Sequence, residues 1–227
     1  MPHDLTPLMS SPPAPRAPRR RGPLRAAGKA RTEQVLDAAD RLILASGAAA
    51  LSLPAVAAEA GVPASSLYHF FPTVDALLAA LLERYNALQD KMLDDAIASA
   101  QPIQRWTDLV DVLLLGARRF YDAFPVYGRL MAQAGATPLL GAVDLAHMDA
   151  MGARFADTIS AAFVLPDTPD LSRRLTLAVL VIDRLWSVLP LDDGIISNFA
   201  FEESRRMVLS YLANILPPAP PLREPAA

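Results

Sequence analysis

The 227-residue chain contains no cysteine, which excludes disulfides, thiolate metal sites and a cysteine nucleophile. Histidine is nearly as scarce, with only His3, His69 and His147 available as imidazole bases. There is no glycine-rich phosphate loop, metal-ligand cluster or nucleophile elbow, so the sequence argues against an enzyme and calls for neither cofactor nor metal. Long apolar runs are missing too. The longest uncharged stretch, residues 42–58, is broken by Ser46, Gly47, Ser52 and Pro54, and a membrane-spanning helix needs ~20 apolar residues. The first residues lack the apolar core of a secretory signal. A cytoplasmic protein is expected. The net charge of −3 selects no partner by itself.

What is present is unevenly distributed. Ahead of Thr32 stand seven Arg or Lys against one acid, Asp4. Residues 1–28 are expected to be a disordered basic Pro/Arg-rich arm, and 217–227 a disordered Pro-rich tail. Such an arm attracts phosphate or another anionic surface. Between the tails, apolar residues recur at helical spacing and predict an all-α chain of about nine helices. They fall at about 31–45, 53–60, 63–70, from Thr73 onward, then 104–123, 125–134, 138–163, 168–189 and 196–215. Glycines and prolines punctuate them.

The stretch "LSLPAVAAEAGVPASSLYHFFPTVDALL", residues 51–78, is the most informative. Helices shorter than ~12 residues are marginal alone, so the two short ones here must brace each other. Ser52 is placed to cap the first, Gly61 supplies a permissive turn, and Pro63 opens the second. Ala57, Val62 and Leu67 form the seam. The second helix then presents Ala64, Ser65, Ser66, Tyr68 and His69 outward, small residues and donors suited to another surface. This is the pattern of a helix-turn-helix, whose second helix enters the major groove.

The segment resembles the DNA-binding domain of the tetracycline-repressor (TetR) family of bacterial regulators. The matching residues are the capping Ser52, "AAEAGV", "SSLYHFF" and "PTVDALL". Three features depart from the family pattern. Val74 stands where a phosphate-contacting Lys is common, and Phe70 where a His or Tyr is usual. Within 32–82 the only Arg or Lys is Arg41, against Glu33, Asp37, Asp40, Glu59 and Asp75. The arm is the evident compensation, because phosphate neutralisation supplies much of the affinity. The expected DNA-binding residues are therefore Arg21, Arg25, Lys29, Arg31, Ser52, Ala64, Ser65, Ser66, Tyr68, His69 and Thr73.

The resemblance implies a helix-turn-helix domain over 29–76 and a helical ligand-binding and dimerisation domain over 77–216. Aromatics and methionines suit an apolar cavity for a small effector. The candidates are Tyr85, Met92, Trp106, Phe120, Tyr121, Phe124, Tyr127, Met131, His147, Met151 and Phe155. Each could equally be ordinary core, and His147 a satisfied core histidine. The family also pairs its last two helices across a two-fold axis. On that reading Leu175, Val179, Ile182, Leu185, Trp186, Val208, Tyr211, Leu212 and Ile215 form the interface. The expected partners are a palindromic double-stranded DNA operator, a small apolar or amphipathic effector and a second copy of the chain. The expected function is a ligand-responsive repressor; the alternative is a small-molecule-binding or adaptor dimer of the same fold that has lost specific operator binding.

Overall fold

A computed structural model describes residues 22–134, 137–188 and 196–223. The chain is all-α. Its helices are α1 (Gly22–Ser46), α2 (Leu53–Ala60), α3 (Ala64–Phe70), α4 (Val74–Ser99), α5 (Trp106–Ala123), α6 (Pro125–Ala134), α7 (Pro138–Ala162), α8 (Leu171–Val188) and α9 (Asn198–Ala213). A single 3-10 turn, Ala48–Ala50, follows α1. Among the described residues the only β-type pairing is an isolated bridge between Phe163 and Leu222, and no single helix is long and apolar enough to cross a membrane.

Local chemistry explains the helix starts. Ser52, Thr73, Thr137 and Ser197 each accept a hydrogen bond from a backbone N–H in the first turn of the helix that follows, satisfying a donor with no intrahelical partner. Gly61 ends α2 in the left-handed region, at φ 64°, where an L side chain would be strained. Its turn lets Val62 N–H reach Ala57 O at 3.0 Å, and α3 folds back across α2.

The structure corrects the sequence reading at both ends. The first helix begins at Gly22, not near Arg31. The segment after Pro23 is rich in Leu, Ala, Arg and Lys, which are good helix formers, and proline is tolerated at a helix start. Part of the supposed arm is thus helix; residues 1–21 lie outside the described set. The tail is not free either. Trp106 Nε1–H donates to Pro217 O (2.9 Å), Val164 N–H to Pro221 O (2.7 Å) and Arg223 N–H to Ala162 O (2.9 Å). Prolines lack donors but keep their carbonyls, so an extended proline-rich strap can serve as acceptor for the end of α7 and the start of α5.

One core runs through the molecule, from Val35 and Ile43 on α1 through Leu77, Leu81 and Leu82 on α4 to Phe155 on α7 and Leu212 on α9. Helices α7 and α8 come into close contact where Gly152 faces Thr176. A Cβ on Gly152 would stand 2.6 Å from Thr176 N and 2.8 Å from its Cα.

Candidate nucleic-acid interface and internal cavity

Helix α3 is held by one buried residue, Leu67, with Phe71 buried just beyond it. Every other residue on it is at least partly open to solvent. Pro63, Ala64, Ser65, His69 and Phe70 are exposed, Ser66 is half-buried, and Tyr68 is 49% exposed. Ser52 and Thr73 are exposed at the starts of α2 and α4, but their hydroxyls already serve as caps.

The charge arrangement sharpens the earlier observation. Arg41 pairs with Glu59 at 2.6 Å, so the lone cation of residues 32–82 is held by an acid of α2. Lys29 and Arg31 are exposed on α1 and make no ion pair among the described residues. Arg25 falls within α1, and Arg21 lies outside the described residues.

Two arginines that sequence reading passed over tie the N-terminal helices to the rest. Arg84 on α4 contacts Glu33, Asp37 and Asp40 on α1, with 2.7 Å to Asp37. Tyr85 O–H donates to Asp40 Oδ1 at 2.8 Å. On α6, Arg129 Nη1 donates to the carbonyls of Ile43 (2.6 Å) and Leu44 (2.5 Å). These lie in the last turn of α1, where carbonyls lack intrahelical donors and a cation is favoured. A long charged side chain reads as solvated in sequence, which is why neither was singled out.

Behind this junction lies an aromatic cluster. Tyr85 packs edge-on against Phe120, Phe124 and Tyr127, and Tyr121 meets Tyr127 at 5.1 Å between centroids. Tyr121 in turn lines an internal cavity of about 60 Å³ with Gln89, Leu113, Met148, Met151 and Asp183. A second cavity of about 40 Å³ shares its Leu113, Leu114, Phe155, Val179 and Ile182 wall.

Of the eleven expected pocket residues, Tyr121, Met151 and Phe155 reach these cavities. Tyr85, Phe120, Phe124, Tyr127 and Met131 belong to the packed core beside them. Met92 is exposed on α4, because the helix turns it away from α5 and α7. Trp106 anchors the tail. His147 is buried and donates from Nε2 to Gln89 Oε1 at 2.9 Å, a satisfied core histidine whose pKa burial holds below the ordinary imidazole range. The polar wall residues are instead Gln89 and Asp183, which a search for aromatics and methionines does not find.

Asp183 accepts a hydrogen bond from Tyr121 O–H at 2.8 Å. Burial raises its pKa despite that bond and the nearby charge of Arg184. Asp144 on α7 is pushed up to about 6, by burial first and the charge of Asp183 second. Between the ordinary carboxyl range and pH 6, the folded chain keeps a proton that the unfolded chain has released. Stability therefore falls as pH rises through that window. Asp144→Asn should remove this penalty. Allowing for solvent screening of a half-exposed group, the gain is ~1 kcal/mol at pH 7, or a rise of about 2–4 °C in thermal midpoint. Little change is expected at pH 4; an equal rise at both pH values would refute a charge origin.

The stripe expected as an interface on α8 and α9 lies mostly inside the single chain. Leu175, Trp186, Val208 and Leu212 are buried within the chain, while Val179, Ile182, Leu185 and Ile215 pack on the core. Trp186 N–H donates to Ser204 Oγ at 2.9 Å, and its ring lines the cavity. Only Tyr211 of the nine is exposed. The solvent face of the two helices is instead Leu177 (51% exposed), Val181 (44%), Met207 (46%) and Tyr211 (36%). With Ala178 and Val208 these bound a groove of about 340 Å³.

Comparison with known proteins follows the same lines. Residues 35–81 match the family model of bacterial regulatory proteins, tetR family. No curated protein matches the sequence. Among solved structures, the multidrug binding protein EbrR complexed with imidazole is 23% identical with a TM-score of 0.62, over 87% of this chain and 97% of that one. The same protein complexed with ethidium gives 25% identity and a TM-score of 0.60, over 80% and 97%. A TetR-family transcriptional regulator from Streptomyces coelicolor gives 22% and 0.55, over 82% and 98%. Residues 35–81 thus match the tetR family's model, and the chain as a whole shares the fold of these solved structures.

Proposed function

We propose that this DNA-binding regulator acts as a homodimer on a palindromic operator, most simply as a repressor released by a small effector. It would act in the cytoplasm, with no catalytic step. The observation that carries the reading is α3, a short helix whose Ser65, Tyr68 and His69 face solvent, with Ser66 half-buried, while Leu67 alone is fully buried. Phosphate contacts would come from the arm with Lys29 and Arg31, and base contacts from α3. Residues 29–76 would read DNA and 77–216 would bind effector and partner.

The groove of Leu177, Val181, Met207 and Tyr211 supports pairing with a second copy. An apolar face on two adjacent helices is self-complementary under a two-fold axis, and a two-fold protein reads two half-sites. Structures similar to this one hold ethidium and malachite green, which supports an effector site among the central helices.

Release would be a population shift. Effector binding beside Tyr121 would disturb the Tyr127–Tyr85 packing, and Tyr85, Arg84 and Arg129 hold α1. Moving α1 and α4 would change the spacing of the two α3 helices, so that they no longer fit both half-sites. A hundredfold release requires the effector to prefer the non-binding state by about 2.7 kcal/mol.

The test is fluorescence anisotropy on the DNA upstream of the chain's own gene, with random DNA as competitor. Two protomers per site and resistance to competitor are expected. Ser66→Ala and Tyr68→Ala should each weaken specific binding by ~1–3 kcal/mol with the thermal midpoint unchanged. If both variants bind like wild type, α3 is not the reader. Equal displacement by random DNA would favour the alternative, a ligand-binding dimer without an operator, for which the Arg41–Glu59 pair and Val74 already speak.

A further inference from the structure

The strap that follows α9 is bonded to the start of α5 and the end of α7. Trp106 Nε1–H donates to Pro217 O, and Val164 N–H to Pro221 O. Arg223 donates from its backbone N–H to Ala162 O, and from Nε to Ser160 O at 2.6 Å and Phe163 O at 3.1 Å. Within residues 216–223 only Leu216 and Pro220 are buried.

These anchors stand at one end of the smaller cavity. Its apolar wall includes Leu109 and Val110 on α5, Ile159 on α7 and Leu212 on α9. Trp106, Phe163 and Leu216 each lie about one helical turn beyond one of those residues, and all three are buried. The strap holds each of them: Trp106 by its indole N–H, Phe163 by the bridge to Leu222, and Leu216 as its own root. In the other direction the smaller cavity adjoins the larger, which runs on past Ala117 to Tyr121. The two cavities therefore lie end to end, from the strap to the aromatic cluster.

We propose that the strap is the latch of an entrance. Its release frees Trp106 and Phe163, and an apolar molecule passes into the smaller cavity and on towards Tyr121. Elsewhere the cavities are walled by helices packed along their length, whereas detaching the strap breaks no helix and uncovers little buried surface. A chain end with few buried contacts is where local opening costs least, and its prolines keep it extended and stiff, so that it leaves as a unit. The latched cavities, of about 60 and 40 Å³, fall far short of the roughly 300–1,000 Å³ that drug-sized ligands occupy. This rests on the effector-responsive reading above and adds the route of entry and the element that controls it.

The experiment locks the strap shut. Val164 and Pro221 are both exposed and oppose each other beside the antiparallel bridge. Residues so paired have Cα atoms about 5.5 Å apart, inside the range of about 4.4–6.8 Å that a disulfide spans. With no native cysteine, the double variant Val164→Cys and Pro221→Cys can form one disulfide only. Uptake of the neutral apolar dye N-phenyl-1-naphthylamine by the full-length protein, without DNA, is followed by stopped-flow fluorescence. The oxidised variant should take up dye at least tenfold more slowly than the same protein reduced, and the reduced form should match wild type. Arg223→Ala, which loses the two side-chain bonds to the end of α7, should take it up faster than wild type with its helix content unchanged. Equal rates in the oxidised and reduced forms, no uptake by wild type, or a disulfide that does not form would each overturn the proposal. The regulator reading fails separately: a chain whose dye uptake is latched but which selects no operator keeps this inference and loses that one.

Discussion

Gly152→Val is expected to lower the thermal midpoint by ~6–12 °C, corresponding to about 3 kcal/mol in a chain of this size. The cause is backbone. The first carbon of any side chain at 152 meets the N and Cα of Thr176 at 2.6 and 2.8 Å, and neither can swing aside as a side-chain tip would. To make room, α7 and α8 must separate. They carry Met148, Met151, Phe155 and Asp183, so the cavity wall would move with them. Gly116→Ala on α5 is the control, since a Cβ there meets nothing within 4 Å. It should be stabilising by up to ~1 kcal/mol through helix propensity. A Gly152→Val midpoint within 2 °C of wild type would mean that the α7–α8 contact is looser than described.

Removing residues 1–21 is expected to weaken binding to operator and random DNA alike, about tenfold or more near 0.1 M salt. The cut is placed by the structure: α1 begins at Gly22, so a deletion to 28 would also remove its first two turns. It eliminates Arg16, Arg19, Arg20 and Arg21. If each neutralises one phosphate, the slope of log K against log salt should flatten by roughly 3–4. The magnitude is large because the folded part has little to substitute. Arg41 is paired with Glu59, Val74 carries no charge, and Lys29 and Arg31 are the exposed cations described near the start of α1. An unchanged slope would show that the arm takes no part and that α3 must hold DNA by other contacts.

The helix-turn-helix was legible in the chain because its signals are local. A capping Ser52, a left-handed Gly61 and an opening Pro63 lie within twelve residues, and each acts on its immediate neighbours. The cavity was only partly legible. Tyr121, Met151 and Phe155 carry the composition of a pocket, but Gln89 and Asp183 come from helices that the sequence does not bring together. The open face of α8 and α9 was not legible for a different reason. Helix α8 is apolar on most sides, with Leu175, Leu177, Val179, Val181 and Ile182 in close succession, so periodicity alone does not choose an inner face.

Sequence by itself thus determined the helical class, the order of elements, the short-helix pair and the outward residues of α3. All of these follow from capping, turn chemistry and the 3.6-residue period. Tertiary structure alone decided which face of α8 and α9 remains open. It also decided that Trp186 lies inside, that the tail straps α5 and α7, and that Arg84 and Arg129 join α1 to the helices behind it. Each of these depends on a neighbour distant in the chain. The Gly152–Thr176 contact turns α8 inward on one side, and no local pattern encodes that distance.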